Sequence, residues 1–319
     1  MHKLSNNHVA GFFLSLNAAM MWGVLPIAIK ELLAGMDATT IVWYRFIVAG
    51  VVLGFWLLFT RKMPAIFAVD TSLRWLLLVA AISLGCNYYL FSLSLNFVNA
   101  ETSEAVIQLT TLFLILGGVI VYKEPYFHIQ KLGTALIVVG LVLFFHDRFD
   151  VLRSLDNRQT IGVVIVVFAA ITWVIYALLQ KQLLINFSSV QILFLIYVIA
   201  GLAMLPLVHP ASLLQLSTFH FWLLVFCCVN TLIAYGSFAE ALNCWEASKV
   251  SAVLALAPLF TIGSLKLIVL IYPDYAFSDR LSLVSMLGAG FLVAGSVLTA
   301  IVPLLYQRRL DRLARAKVL

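Results

Sequence analysis

The sequence predicts an all-α integral membrane protein, ten transmembrane helices arranged as two inverted five-helix repeats. Three observations carry this reading: a composition no soluble core could bury, a series of apolar runs of membrane-spanning length, and collinear self-similarity between the halves. Of 319 residues, 63% are apolar and 11% charged, against about 45–50% and about 25% for a soluble domain. A single globular core stops growing near about 250–300 residues, so a chain this apolar needs lipid as its second solvent.

A helix needs about 20 mostly apolar residues to cross a hydrocarbon layer about 30 Å thick. Punctuation by Pro, Gly and charge divides the chain into ten such runs, near 10–30, 39–60, 74–96, 101–122, 129–146, 160–181, 188–208, 220–241, 248–272 and 281–305. The first run follows Lys3 and superficially resembles a secretory signal. Its length and its counterpart in the second half mark it as a span. The connecting loops are short, and no soluble domain fits between the runs.

With the N-terminus inside, thirteen of the twenty basic residues fall on the cytoplasmic side, including Arg61, Lys62, Lys123, Lys181 and the tail residues Arg308, Arg309, Arg312, Arg315 and Lys317. Five fall outside: Lys30, Arg148, Arg153, Arg158 and Arg280. The positive-inside rule therefore puts both termini in the cytoplasm. Asp147, Asp150 and Asp156 are interleaved in the most basic outer loop. The net charge of +6 is spread in short clusters, with no basic face for nucleic acid. The basic tail fits anionic lipid instead. Cys86, Cys227, Cys228 and Cys244 have no metal-ligand spacing and read as small apolar fillers. The histidines lie at run ends or in loops. No cofactor, metal site or catalytic cluster is expected.

The halves resemble one another. At an offset of 151 residues Ala18, Ala19 and Trp22 meet Ala169, Ala170 and Trp173, Lys30 meets Lys181, and Ala49-Gly50 meets Ala200-Gly201. An offset of 147 pairs Tyr88 with Tyr235, Phe91 with Phe238, Asn96 with Asn243 and Leu112-Phe113 with Leu259-Phe260. An offset of 155 pairs Leu132-Gly133 with Leu287-Gly288 and Gly140 with Gly295. The units are residues 1–150 and 151–319. An odd number of spans per half inverts the second relative to the first, and a midplane site between inverted halves can open to either side as one rocks against the other.

Each half carries a Trp in its first run, a Pro or small residue in its fourth and a glycine pattern in its fifth. Glu124-Pro125 followed by Gln130, Gly133 and Gly140 resembles the drug/metabolite transporter superfamily, EamA type. In the second half Pro258, Gly288 and Gly295 match, whereas the acidic turn is replaced by Ile271-Tyr272-Pro273-Asp274 and an insertion. The resemblance covers nearly the whole chain. It implies export or exchange of metabolites such as amino acids, or efflux of amphipathic compounds, across the bacterial inner membrane. It also implies that helices one, three, four, six, eight and nine line a central cavity.

The polar and aromatic side chains near the middles of those helices are Trp22, Asn87, Tyr88, Gln108, Thr111, Thr172, Trp173, Tyr176, Asn230 and Tyr235. Each either lines the cavity or bonds to a neighbouring helix, because a polar group at that depth needs one or the other. Gly133, Gly140, Gly288, Gly290 and Gly295 suit close helix packing. Pro258, near the middle of the ninth run, is either a hinge or a packing kink. Three charges mark gate candidates. Arg45 and Lys266 lie inside runs and can snorkel outward; Glu104, with Glu101, begins the fourth run, where a carboxylate suits a helix N-terminus. Glu104 and Lys266 are expected to pair as an outer gate. Coupling to protons, through Glu104 or Glu240, or to a counter-substrate stays open, since no carboxylate lies convincingly at the midplane. A membrane enzyme would gather His, Asp or Glu at one interface with a loop to hold them, and a receptor would need an extramembrane docking surface; neither is present in the sequence. Lipid and a small-molecule substrate are the expected partners, and the sequence leaves the oligomeric state undetermined.

Overall fold

The computed structural model describes residues 8–123, 126–148, 157–244 and 247–316. Among these the regular structure is helical, with short 3-10 turns and no strand. The helices are α1 (His8–Leu32), α2 (Ala38–Phe59), α3 (Thr71–Ser94), α4 (Ala100–Ile107), α5 (Leu109–Tyr122), α6 (His128–Phe144), α7 (Arg158–Leu183), α8 (Ser189–Met204), α9 (Thr218–Cys244), α10 (Ala247–Leu254), α11 (Ala257–Ile271) and α12 (Leu283–Ala316). Eight helical segments are long and apolar enough to cross a membrane, counting α4 with α5 and α10 with α11. The apolar parts of α6 and α12 are shorter, and the 17 residues of α6 reach only about 25 Å.

Local chemistry sets the helix starts. The Asp37 carboxylate accepts from Thr40 N at 2.9 Å and from Thr40 Oγ1 at 2.7 Å, capping α2. Ser188 and Gln191 form a reciprocal capping box at the matching end of α8. These two caps stand at the 151-residue offset. The starts of α3 and α9, and both ends of α4 and α10, stand at the 147-residue offset; α6 and α12 begin 155 residues apart.

Two apolar runs expected to be single helices are each broken. Between α4 and α5 the chain turns at Gln108, where the Thr110 hydroxyl donates to Ile107 O at 2.7 Å and competes for the helical carbonyl. Between α10 and α11 it turns at Ala255 and Leu256. Pro258 is therefore not in the interior of a kinked helix, as its position in the run suggested. It occupies the first turn of α11, where a missing N–H leaves no helical bond unmade. At the other extreme, α12 continues through the tail to Ala316, because Gln, Arg, Leu and Ala are good helix formers.

The packing exchanges partners between halves. α1 lies on α9 and α7 on α3; α1 also meets α10 and α11, while α7 meets α4 and α5; α2 meets α9 and α3 meets α8; α2 faces α8, and α6 faces α12. Each of these contacts has its mate when the halves are exchanged. The α6–α12 seam is close because glycines face glycines. A Cβ on Gly140 would stand 2.8 Å from Gly288 O, and one on Gly133 would stand 2.8 Å from Gly295 O. Gly290, expected in the same seam, faces open space. Cys227, Cys228 and Cys244 are buried, whereas Cys86 faces outward. Large apolar side chains such as Trp56, Phe59 and Leu270 are exposed around the bundle, as lipid contact requires.

Candidate functional site

Where α1, α2, α3, α7, α8 and α9 converge, five of the ten expected lining residues meet. Trp22 on α1 makes an edge contact with Tyr235 on α9, ring centroids 5.3 Å apart, and a tilted one with Phe238 at 5.7 Å. Tyr235 stacks on Tyr88 of α3 at 6.4 Å. Phe46 of α2 lies between Tyr88 at 4.9 Å and Tyr197 of α8 at 5.2 Å. Tyr176 is buried in the same cluster and Trp173 packs against it. Position along each run places these rings at similar depth; only the crossing of elements from both halves brings them together. Phe46 and Tyr197 escaped the sequence reading because they sit on helices two and seven. They match at the 151-residue offset, and that signal was available.

The polar candidates divide differently. Asn87 Nδ2 donates to Ala169 O at 2.9 Å and Asn230 Nδ2 to Met21 O at 2.7 Å, so both tie neighbouring helices. Asn230 Oδ1 is left buried without a partner. The Thr172 hydroxyl bonds to carbonyls of its own helix. Gln108 stands at the α4–α5 turn, accepting from Ser296 Oγ on α12 at 3.2 Å, with Thr111 in the first turn of α5.

The gate candidates do not form a gate in this structure. α4 and α11 pack as neighbours, but Lys266 projects outward, its Nζ 3.0 Å from Met286 Sδ. Glu104 is buried, 6% exposed, and makes no ion pair among the described residues. The reason is azimuth: Leu265 takes the core-facing position of α11, and the next residue is turned about 100° away. Glu101 is in the first turn of α4 as expected, and it also ties a loop. Its Oε1 accepts from Ser278 Oγ at 2.8 Å and from Asp279 N at 3.2 Å, while Asn99 and Thr102 donate to the Asp279 carboxylate.

Arg45 does not snorkel. It is 4% exposed, its Nε donates to Thr231 Oγ1 at 3.0 Å, and its guanidinium lies 4.7 Å from the centre of the Tyr88 ring. No carboxylate pairs with it among the described residues. A cavity of about 490 Å³ covers the same end of α2, lined by Asp37, Thr39, Tyr89 and Asn96 among others. Around that end Lys30 Nζ donates to Leu95 O at 2.5 Å and Val98 O at 3.0 Å, and Tyr44 donates to Pro210 O at 2.9 Å. Burial, and next the Glu31 carboxylate to which its hydroxyl donates, raise the pKa of Tyr275 in the adjoining loop. The Glu124-Pro125 turn, Asn243, Lys249, the side chains of the basic tail and most of the loop holding Arg153 lie outside the described residues.

Comparison with known proteins agrees with this architecture. The chain is 40% identical over 291 residues to an uncharacterized transporter of Haemophilus influenzae, covering 91% of this chain and 94% of that one. It is 38% identical over 293 residues to the uncharacterized inner membrane transporter YhbE of Escherichia coli K12, covering 91% of each. A probable amino-acid metabolite efflux pump of Escherichia coli K12 is 21% identical over 301 residues, covering 88% and 92%. One solved crystal structure shares the fold with a TM-score of 0.61 at 14% identity, covering 92% of this chain and 98% of that one. The EamA-like transporter family matches twice, over residues 9–146 and 160–301. Two family matches in tandem, on an all-helical membrane bundle whose packing partners exchange between halves, make this chain a member of the EamA-like transporter family.

Proposed function

We propose that the protein is a secondary transporter of the bacterial inner membrane that exports or exchanges a small metabolite, an amino acid or a close chemical relative. Residues 1–150 and 151–319 act as inverted halves around a central site, with both termini cytoplasmic. One observation carries this reading: the aromatic cluster of Trp22, Tyr88, Trp173, Tyr176 and Tyr235 is built from both halves, so movement of one half against the other must open it. The name of the amino-acid efflux relative supports the substrate class, and the inner-membrane relative supports the location. The turns before α5 and α11, the second followed by Pro258, give each half a joint at an equivalent place.

Counterflow in proteoliposomes tests it. Labelled amino acids and amphipathic cations are offered outside vesicles loaded with the unlabelled compound. Uptake driven by internal amino acid supports the proposal, and uptake of cations alone moves the assignment to amphipathic-compound efflux. Silence of correctly folded protein across the panel overturns the carrier reading for these classes.

A further inference from the structure

Arg45 presents a physical problem that the fold does not solve. Arginine stays protonated in proteins. Here it is buried about two turns inside α2, with no acidic partner among the described residues and one hydrogen bond, from Nε to Thr231. Among the described residues its terminal guanidinium nitrogens make none. Beside it the hydroxyls of Tyr88 and Tyr197 are buried without a hydrogen bond of normal geometry, Tyr88 facing only the hydroxyls of its neighbours Tyr197 and Tyr235. A permanent cation and two hydroxyls are thus gathered with no anion beside them among the described residues, in a setting where unpaired charge is costly.

The second half shows that the scaffold does not require this charge. At the 151-residue offset Arg45 corresponds to Ile196, which is 0% exposed in the apolar cluster. At the 147-residue offset Thr231 corresponds to Leu84, also fully buried there. The same helix crossing is therefore made once with an apolar pair and once with an arginine and a hydroxyl. What the first crossing lacks is an anion that accepts from several donors at once, which a carboxylate does. The rings of Trp22 and Tyr235, next to Tyr88, offer an apolar surface for the remainder of such a molecule.

We infer that Arg45, together with the Tyr88 and Tyr197 hydroxyls, receives the carboxylate of the transported molecule, whose apolar part lies against Trp22 and Tyr235. This rests on the transporter reading and narrows its substrate to compounds bearing a free carboxylate. The hydroxyls supply orientation, and the arginine supplies most of the discrimination against an uncharged or cationic analogue.

The test uses purified full-length protein in detergent at fixed ionic strength. The probes are phenylalanine, 3-phenylpropanoate, phenethylamine and sodium chloride, each at about 10 mM, ten times the upper end of ordinary KM values. The two carboxylates are expected to raise the melting temperature by about 3 °C and phenethylamine and chloride by less than about 1 °C. Arg45→Gln is expected to abolish the carboxylate shift and Arg45→Lys to retain part of it. The melting temperature of ligand-free Arg45→Ile, which copies the second half, is expected to equal or exceed that of the wild type.

A fall of more than about 5 °C in ligand-free Arg45→Ile assigns Arg45 a structural role and overturns the proposal. So does a carboxylate shift retained by Arg45→Gln, an equal shift with phenethylamine or chloride, or no shift with either carboxylate. The same variants separate this inference from the carrier reading. Counterflow undiminished in Arg45→Gln removes the carboxylate site and leaves the carrier standing, whereas carboxylate-specific stabilisation without counterflow leaves the site and removes the carrier.

Discussion

At one register of α2 and α8 the two halves of the molecule bury different residues, Arg45 in the first and Ile196 in the second. Around them much is duplicated: Trp22 and Trp173, Tyr88 and Tyr235, Phe46 and Tyr197 occupy corresponding places, and the helices carrying them start at corresponding residues. The comparison separates what the bundle needs from what has been added to it. A fold repeated twice needs matched aromatic and small residues so that each half can pack on the other. A charge present in one half alone, at a place the other fills with isoleucine, serves something besides packing. On the proposed site this asymmetry has a chemical reason, because a substrate with one carboxylate calls for one arginine.

The strongest way to break this comparison is to reverse it. Ile196→Arg places a second unpaired charge in a fully buried apolar cluster, and it is expected to destabilise by about 4 kcal/mol or more, read as loss of folded, monodisperse protein. Tolerance of that substitution would mean that the α8 crossing is as polar as the α2 crossing. Next in size is the shared seam. Gly140→Ala forces a methyl group against Gly288 O and Leu292 N, at a cost of about 1–3 kcal/mol, whereas Gly290→Ala meets nothing and is neutral or better in a thermal melt. Equal losses at both would contradict the observed facing of α12.

The duplicated tryptophans sharpen the comparison through activity. Trp22→Leu is expected to lower counterflow about tenfold and Trp173→Leu by less, since both belong to the frame common to the halves but only Trp22 meets substrate at the proposed site. Equal losses would show that Trp22 serves the frame alone. The smallest effect lies in a peripheral tie. Ser282 donates to the exposed Asp147 carboxylate, and this bond, with His146 beside it, holds the Asp147 pKa below the ordinary carboxylate value. Because the folded pKa is the lower one, the stabilisation is present above the unfolded value and disappears as pH falls through the folded value. Ser282→Ala should therefore melt slightly below wild type at neutral pH and coincide with it in strong acid. A gap that persists in acid would assign the effect to something other than the carboxylate.

The positions of the helices were legible in the sequence because hydropathy is local. The predicted run 39–60 became α2 over 38–59, and 101–122 became the pair α4 and α5. The break at Gln108 was not legible, since no Pro or Gly marks it and the competing hydroxyl of Thr110 looks like any other threonine in an apolar run. Pro258 was visible, but its meaning changed once the turn at Ala255 and Leu256 separated it from the helix before it. Arg45 stood out as a charge within a span, yet was grouped with Glu104 and Lys266 as a gate. Depth along a helix can be counted from the sequence. Azimuth and partner cannot, and Lys266 turned toward Met286 while Glu104 stayed inside.

The sequence by itself determined that the chain lies in a membrane, roughly where its helices run and that its halves are related, because composition and periodic apolar length act residue by residue against lipid. Only the tertiary structure decided that Trp22, Tyr88, Tyr197 and Tyr235 meet at one place, that Asn87 and Asn230 serve as ties between helices, and that Arg45 is enclosed with no acidic partner among the described residues. Those outcomes depend on which face of each helix meets which neighbour, and that is fixed only when all the helices pack at once.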